Sequence, residues 1–414
     1  MTKTPVILST DIGSDIDDAL NLQIVALSKT FQLLSVIVTH GVLDIRETLT
    51  RKMLHNLGRD DVIVAQGAEQ ALDPTSYPPT FITGFEAVAL SKKERRLPAR
   101  GIDGVELFIK QVHEFAPIVV SIAPMTTIAR ALEKDSSLAQ KIPHLYVMGG
   151  SLESSEHNMV HDLAAAAMVF SSGIPTTVLP LEATQRFYHT ELTELDGSKN
   201  QKMIARMATA LRIHRALDFL VTRRTPEQDQ LFAYFKKFSP FHPGARNVRP
   251  EDIKYFYTQY EAARVALQTT RLPNDAIRSF EQDLRAMELF LVLRHLLQRE
   301  SWVDDFNGCH DTLTLALNAS TISYSHALFE KAFKAGLEDH MGVYDAYIPY
   351  MLEHPERVKV DSCNLSVDKV GKLHRESGAS HNLVVDVDHE HFKQFLRQRL
   401  RADQTLRNPL RQKR

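Results

Sequence analysis

The stretch Val6–Ser28, VILSTDIGSDIDDALNLQIVALS, contains the pattern that decides the fold. Its first five residues, VILST, are mostly β-branched or apolar and predict a buried strand. An acidic turn with one glycine follows. Asp17 then opens a segment that predicts a helix, because acidic residues favour the positive N-terminal end of a helix. A buried strand followed at once by a helix is the unit from which parallel sheets are built.

The same alternation of strand and helix continues to about residue 185. The further predicted strands are Leu33–His40, Asp61–Ala65, Ala116–Pro124, His144–Gly150 and Thr176–Pro180, with helices at Ile45–Leu57, Gly104–His113, Thr126–Leu132 and Asp162–Phe170. Apolar runs without alternation indicate strands buried on both faces, and parallel strands need right-handed crossovers. We therefore predict an α/β fold with a mostly parallel, doubly wound open sheet.

The middle of the chain has a different composition. It is rich in Lys, Arg and Gln, and Met203–Leu220 and Phe280–Leu297 carry apolar residues at helical spacing. We interpret it as an inserted helical subdomain, a lid or a surface for packing and oligomer contacts. We predict four parts: residues 1–185 form the first part of the core, 186–340 the helical insertion, 341–400 the C-terminal part of the core, and 401–414 a basic tail. The C-terminal part of the core contains a predicted strand at Asn382–Asp388.

Composition excludes several functional classes. Of 414 residues, Lys+Arg contribute 49 and Asp+Glu 51, so the net charge of −2 gives no overall field that would attract nucleic acid or an anionic membrane. Cys309 and Cys363 are too few for a disulfide scaffold or a thiolate metal cluster. The N-terminal apolar run is too short for a signal peptide. We expect a cytoplasmic protein without nucleic-acid or membrane partners.

The acidic loop after the first strand is the clearest sign of a functional site. Asp11, Asp15, Asp17 and Asp18 lie within eight positions, and ligand sites of open α/β sheets form beyond the carboxyl ends of strands. Such close carboxylates raise one another's pKa unless a cation neutralises them. Because the loop has no Cys or His, the cation should be Ca²⁺ or Mg²⁺. A neighbouring carboxylate would then deprotonate a water that the cation activates.

The ends of two later strands point to the same edge of the sheet. Pro124-Met125-Thr126 follows one strand and Gly149-Gly150 another, and Glu156 and Asn158 come soon after the second. On an extended segment, residues two apart project to the same side. Carboxylates and an amide around a hard cation suit a polyhydroxyl ligand, and ribose is a natural occupant.

These residues resemble the inosine-uridine preferring nucleoside hydrolase family. The family's opening motif, Asp-Thr-Asp-x-Gly followed by Asp-Asp, is similar to Ser9–Gly13 and Asp17–Leu20, with two extra residues between them. The similarity continues through AQGAEQAL (Ala65–Leu72), IAPMTTIARAL (Ile122–Leu132), VMGG to LEAT (Val147–Thr184), YDAYIPYMLEHP (Tyr344–Pro355) and SHNLVVDVDHEHF (Ser380–Phe392). It covers about residues 5–185 and 340–400.

The resemblance implies a Ca²⁺ site and a reaction. Asp11 would be a calcium ligand and the general base for the attacking water. Asp18, the backbone carbonyl of Thr126 and Asp345 would complete the protein ligands. Asp15 lies within the two inserted residues and would support the metal from outside its ligand shell. The chain would hydrolyse the N-glycosidic bond of a ribonucleoside, or of a related ribosyl N-glycoside, through an oxocarbenium-like transition state.

The same resemblance implies how the sugar is held. Asp17 and Asn158 would bind the 2′- and 3′-hydroxyls of the ribose, and Glu156 the 5′-hydroxyl. Nucleosides would be the small-molecule partners, with a role in purine or pyrimidine salvage. Because nucleoside hydrolases are commonly dimers or tetramers, the resemblance also implies a homo-oligomer.

Departures from the family pattern concern the leaving group and the ribose site. Gly41-Val42 lacks the family's asparagine, and Tyr344-Asp345 stands where the family has His-Asp. That histidine is a proposed acid for the departing base, and a tyrosine with a pKa of about 10 is a poorer acid. CHDTLTLALN (Cys309–Asn318) offers His310 as a second candidate. Family-like spacing to the following proline favours Asp345 as the metal ligand.

Two other functions remain as alternatives. A ribosyl-ligand binding protein without catalysis would explain the missing asparagine and histidine, although the acidic cluster is intact. An aspartyl-phosphate phosphatase needs an acid two residues after its nucleophilic aspartate. Asp11 is followed by Ile12 and Gly13, so that class fits poorly.

Overall fold

In a computed structural model of the protein, the described residues are 3–13, 15–72, 89–91, 93–184, 186–188, 199–208 and 340–401. The chain divides into two compact units. The first comprises Met1–Pro78, Ala89–Ile204 and His340–Arg414. The second, Pro79–Val88 and Ala205–Asp339, is outside the described residues except for 205–208. Most of the predicted helical insertion and the basic tail after Arg401 therefore lie outside them as well.

The first unit contains an eight-stranded sheet in the order β3-β2-β1-β4-β5-β6-β10-β9. Its strands are β1 (Thr4–Thr10), β2 (Phe31–Val38), β3 (Ile63–Gln66), β4 (Ile118–Ser121), β5 (Leu145–Met148), β6 (Thr176–Leu179), β9 (Val358–Val367) and β10 (Leu373–Val387). All neighbours pair in parallel except β9, which is antiparallel to β10. A separate two-stranded antiparallel sheet joins β7 (Arg186–Tyr188) and β8 (His340–Gly342). The prediction of a mostly parallel open sheet is confirmed.

Helices connect the parallel strands. They are α1 (Asp17–Ala26), α2 (Leu43–Asn56), α3 (Gly104–Phe115), α4 (Thr126–Lys134), α5 (Leu138–Lys141), α6 (His157–Val160), α7 (Leu163–Ser171), α8 (Tyr347–Glu353) and α9 (His389–Arg401). Every residue of α1 is buried, because α8 and the turn before it cover the side of α1 that a surface helix would leave to solvent. Among the described residues, no helix combines the length and apolar character needed to cross a bilayer.

The order of strands creates a natural ligand crevice. The chain runs from β1 outward through β2 and β3, and then returns to place β4 on the other side of β1. Loops after β1 and β4 therefore leave the sheet in opposite directions, and open α/β folds bind ligands where this reversal occurs. Asp11 directly follows β1, and Thr126 begins the helix after β4.

Two parts of the fold differ from the sequence prediction. The hairpin of β9 and β10 was not predicted, apart from the end of β10 at Asn382–Asp388. Seven consecutive residues of β10, His374–Ser380, are exposed, so this part of the sequence shows no hydrophobic pattern that would predict a strand. Pairing with β9 stabilises the extended conformation instead. The short helices α5 and α6 were also missed, and α6 lies where the sequence analysis assumed an extended segment.

Candidate active and metal site

Asp11 and Asp18 are joined at the end of β1. Asp11 is 5% exposed, and its backbone N–H donates to Oδ1 of Asp18 at 3.2 Å. The hydroxyl of Thr10 donates to the same oxygen. These bonds hold the first turn of α1 against the strand end, so the acidic loop folds back over the carboxyl edge of the sheet.

Three buried carboxylates form the centre of the site, and we call Asp17, Asp18 and Asp345 the acidic triad. One carboxylate oxygen from each lies within 4.8 Å of the others. Asp17 and Asp18 open α1, whereas Asp345 belongs to the 3₁₀ turn Tyr344–Ala346. The side-chain amide of Asn21 donates to the backbone carbonyl of Asp345 at 2.7 Å and connects α1 to the turn that carries Asp345.

The electrostatics of the acidic triad favour a cation. Burial raises the pKa of all three carboxyl groups well above the ordinary value, and repulsion among the neighbouring aspartates raises it further. Buried charges of one sign are costly unless an opposite charge balances them. Three converging carboxylates with only oxygen donors are the ligand set of a hard divalent cation, so the residues present fit such an ion.

Asp11 is in a different electrostatic environment from the triad. Burial alone would raise its pKa, but hydrogen bonding to His157 and the charges of Arg46 and His157 lower it below the ordinary value. Nη2 of Arg46 lies 4.0 Å from Oδ2 of Asp11, and Nε2 of His157 lies 3.7 Å from the same oxygen. Asp11 is therefore held as the ionised carboxylate.

Arg46 was missed by the sequence analysis. Its side chain is 1% exposed, and Nη1 donates to the carbonyl of Ile12 at 2.8 Å. A Cβ on Gly41 would lie 2.9 Å from Nη2 of Arg46, and the φ of Gly41 is +79°, so a side chain at 41 would be strained and would crowd the guanidinium. Arg46 lies on the apolar face of α2, and its position on that face could have indicated from the sequence that its charge is buried.

Glu156 and Asn158 are buried near the ends of β5 and β6, but not on an extended segment as predicted. Glu156 is the N-cap of α6: its carboxylate accepts from the backbone N–H groups of Asn158 at 3.0 Å and Met159 at 3.2 Å. It also accepts from the N–H of Gly150 at 2.7 Å. The amide of Asn158 donates to the carbonyl of Met148 at 3.1 Å. These bonds fix both side chains relative to the end of β5.

Thr126 and Asp15 have local partners. The hydroxyl of Thr126 donates to Oδ2 of Asp162 at 2.7 Å, and the N–H of Leu72 donates to the same oxygen at 2.8 Å. Asp162 also caps α7, so this buried carboxylate fixes the start of α4. Asp15 is half-buried, and Oδ1 accepts from the N–H of Ile16 at 2.7 Å. Its charge contributes to the raised pKa of Asp17.

The candidates for the leaving-group acid occupy two different parts of the chain. Tyr344 is half-buried beside Asp345, and its ring lies so close to Gly342 that a Cβ there would be 2.1 Å from Cε2. His310 lies outside the described residues.

A group of histidines beside Asp11 was not anticipated, and we call His40, His157 and His161 the histidine cluster. One ring nitrogen from each lies within 4.8 Å of the others. His40 follows β2, whereas His157 and His161 are four residues apart at α6. The i, i+4 spacing of the last two was the available signal, because it places both rings on one helix face.

A family model described as inosine-uridine preferring nucleoside hydrolase matches residues 6–249. A pyrimidine-specific ribonucleoside hydrolase, RihA of Escherichia coli O9:H4, is 31% identical over 204 residues, which is 46% of this chain and 64% of the relative. An uncharacterized Schizosaccharomyces pombe protein is 29% identical over 198 residues, 44% of this chain and 63% of the relative. The chain thus spans less than two thirds of these curated relatives.

Solved structures share the fold. A purine-preferring ribonucleoside hydrolase from Gardnerella vaginalis aligns with a TM-score of 0.56 at 17% identity, covering 96% of this chain and 98% of that one. An inosine-uridine preferring nucleoside hydrolase from Bacillus anthracis aligns with a TM-score of 0.51 at 12% identity, covering 96% and 99%. At these identities the likeness concerns the fold alone.

Proposed function

Because the chain belongs to the inosine-uridine preferring nucleoside hydrolase family, we propose that it hydrolyses the N-glycosidic bond of a ribonucleoside to ribose and free base. The observation that carries the proposal is the acidic triad. Asp345 is 327 and 328 positions from Asp18 and Asp17, yet the fold brings the three carboxylates within 4.8 Å of one another. Their burial and mutual repulsion are costly without a cation, which argues for a site that binds one.

We assign Ca²⁺ to this site, with Asp18 and Asp345 as ligands and with Asp11 and the carbonyl of Thr126 contributing from the ends of β1 and β4. Asp17 lies close enough to share in binding the ion or to face the ribose. When bound, the ion supplies charge that orients the attacking water and lowers its pKa. Asp15 contributes negative charge from the edge of the site.

Asp11 is the residue that receives the proton of the attacking water. Arg46 and His157 keep it ionised. The water oxygen forms the new bond to C1′ of the ribose, the C1′–N bond breaks, and the base departs with its electron pair. The carboxylates at the strand ends stabilise the positive charge that develops on the sugar.

The ribose would lie between Asp17 and the segment of Glu156 and Asn158. Since Glu156 already accepts three backbone N–H bonds, it offers the 5′-hydroxyl a fixed acceptor. Tyr344, beside Asp345, is the described candidate for protonating the base, and His310 is the alternative. We further propose a cytoplasmic homo-oligomer, either a dimer or a tetramer, in nucleoside salvage.

The test is base release from a panel of purine and pyrimidine ribonucleosides, with Ca²⁺ and with a chelator. We expect calcium-dependent release that Asp11→Ala lowers by at least about 100-fold, as expected for loss of a general base. Asp162→Asn is not a suitable control because Asp162 holds α4. Glu106→Gln, an exposed residue paired with Lys134, should retain full activity.

A second candidate function is ligand binding without catalysis. One observation favours it: Tyr344 precedes Asp345, where the family has the histidine proposed to protonate the departing base. If nucleosides or ribose bind but no base is released from any of them, the binding protein is correct and the hydrolase is wrong. If turnover is unaffected by chelator and by Asp11→Ala, the proposed metal and base are wrong.

A further inference from the structure

We propose that the histidine cluster is a second metal site, one that takes a divalent transition metal ion of the Zn²⁺ type. His40, His157 and His161 bring one ring nitrogen each to within 4.8 Å of the others. The rings are inclined to one another by 57° to 85°, with centroids 4.1 Å to 6.2 Å apart. No two of the three rings are therefore parallel. This inference does not depend on the proposed hydrolase activity.

The backbone positions all three histidines independently of any ligand. His40 has φ of +58°, and its N–H donates to the carbonyl of Ala68 at 3.1 Å. His157 and His161 are joined by the helical bond from the N–H of 161 to the carbonyl of 157 at 3.1 Å. The cluster thus combines the loop after β2 with α6, which the Glu156 cap fixes to the end of β5.

An unsatisfied nitrogen within the cluster points to a missing partner. Nε2 of His40 is buried and has no hydrogen-bond partner among the described residues. A buried polar atom without a partner destabilises the folded state. A metal ion on that nitrogen would remove this cost, because neutral imidazole donates its lone pair to the ion.

The charge of the cluster suits a cation better than an anion. Three imidazoles this close repel one another when protonated, so at least two of them are neutral bases. Burial lowers the pKa of His40 and of His161, whereas the hydrogen bond and charge of Asp11 raise the pKa of His157 against the effect of burial. The Asp11 carboxylate, 3.7 Å from Nε2 of His157, adds negative charge.

The ligand type separates this site from the acidic triad. Imidazole nitrogen suits Zn²⁺, Co²⁺, Ni²⁺ and Cu²⁺, whereas Ca²⁺ and Mg²⁺ take oxygen ligands. Tetrahedral Zn²⁺ with bonds of about 2.0–2.1 Å needs nitrogens about 3.3 Å apart. The three nitrogens, which lie within 4.8 Å of one another, would have to approach to that separation when the ion binds.

Asp11 contacts both groups of residues. Its N–H donates to Asp18 of the acidic triad, and its carboxylate lies beside His157 of the cluster. A carboxylate next to a metal-binding histidine orients the ring and strengthens the bond. The two sites are therefore neighbours that differ in the ions they select.

The experiment uses the full-length protein without a polyhistidine tag, stripped of metal and then saturated with Ca²⁺ to occupy the acidic triad. Zn²⁺ is titrated by calorimetry, and Co²⁺ by its visible absorption, which reports tetrahedral nitrogen coordination. We expect one Zn²⁺ per chain. His157→Ala should weaken Zn²⁺ binding by more than about 100-fold, because even the loss of a group that supports a ligand costs 10–100-fold.

Matched variants separate a ligand from a bystander. His157 is 43% exposed, so its loss should leave the fold intact, which circular dichroism checks. His113→Ala removes a histidine of similar exposure, 39%, that pairs with Asp135 at 2.6 Å, and should leave Zn²⁺ binding unchanged. Asp17→Asn should lose Ca²⁺ affinity and retain Zn²⁺.

Three results would overturn the proposal. The first is that the wild-type chain shows no saturable Zn²⁺ binding, and the second is that His157→Ala binds Zn²⁺ as tightly as the wild type. The third is that only Asp17→Asn loses Zn²⁺ binding. The last would place the ion in the acidic triad. None of these outcomes bears on nucleoside turnover, so this proposal and the proposed function fail separately.

Discussion

Replacing Arg46 with methionine should destabilise the protein strongly, because the guanidinium balances a buried carboxylate. Arg46 and Asp11 have side chains 1% and 7% exposed, with Nη2 and Oδ2 4.0 Å apart. At that distance and an effective dielectric constant of about 20, opposite unit charges attract by about 4 kcal/mol. Methionine matches the aliphatic part of arginine as far as the position of Nε, so it retains that packing but leaves Asp11 without this counter-charge.

The expected loss is about 3–5 kcal/mol in the free energy of unfolding, the usual cost of removing one partner of a buried ion pair. The hydrogen bond from Arg46 to the carbonyl of Ile12 at 2.8 Å is lost as well. Urea unfolding followed by circular dichroism measures this in chelator. With Ca²⁺ present, the loss should be smaller, because the proposed ion also neutralises Asp11.

Lys52→Met is the matched control on the same helix. Lys52 lies 2.6 Å from Glu94, and both side chains are half-exposed, at 35% and 24%. Glu94 keeps its bonds from the N–H and the hydroxyl of Ser91 at 2.9 Å, so this change should cost less than about 1 kcal/mol. If Arg46→Met costs no more than Lys52→Met, the claim that Arg46 compensates a buried charge at Asp11 is wrong.

Three further changes test the site. Because the pKa values of the acidic triad are raised well above the unfolded value of 3.8, the triad binds more protons in the metal-free native state than in the unfolded chain. Its contribution to stability should therefore fall as pH rises above 3.8, whereas the lowered pKa values of His40 and His161 act in the opposite direction up to the ordinary histidine value of 6.5. Asp18→Asn or Ca²⁺ should reduce this slope, as urea midpoints would show. Asn21→Ala removes the bond to Asp345 at 2.7 Å and should weaken Ca²⁺ binding by about 10–100-fold in calorimetry. Tyr344→Phe should lower kcat by about 100-fold, the lower end of general-acid effects, in the base-release assay.

Each of these changes has an outcome that contradicts its reasoning. A metal-free stability that rises with pH over this range would mean that the triad carboxyls are not the dominant titrating groups. Unchanged Ca²⁺ affinity in Asn21→Ala would separate Asp345 from the metal. Full activity in Tyr344→Phe would remove that tyrosine as the acid and favour His310.

The sequence predicted the parallel sheet because its strands and helices are specified locally. A strand buried on both faces carries runs of consecutive apolar residues, and Val6–Leu8 and Val36–Val38 are such runs. The acidic loop was also evident, since four aspartates after such a strand leave few alternatives. By contrast, the polar half of β10 carries no burial pattern, and its partner strand β9 decides its conformation.

The prediction of an extended segment at Glu156 and Asn158 is wrong. The segment reads as extended, but the cap bonds of its carboxylate make His157–Val160 a helical turn. A helix of this length does not form alone, because nucleation is unfavourable. Its hydrogen bond to Gly150 and its packing on the sheet stabilise it.

The amino-acid sequence by itself determined the fold class, the position of the acidic loop and the residue types of the proposed chemistry, because these depend on periodicity and composition within short segments. The family resemblance had grouped Asp345 with Asp18 as metal ligands, and the tertiary structure brought Asp17 to within 4.8 Å of both. Only the tertiary structure placed Arg46 beside Asp11, and His40 beside His157 and His161. These neighbours are separated by 35 to more than 300 residues. Folding brings strand ends that are distant in sequence close together, and no local pattern encodes this approach. It sets the distances between these side chains and therefore their charge states.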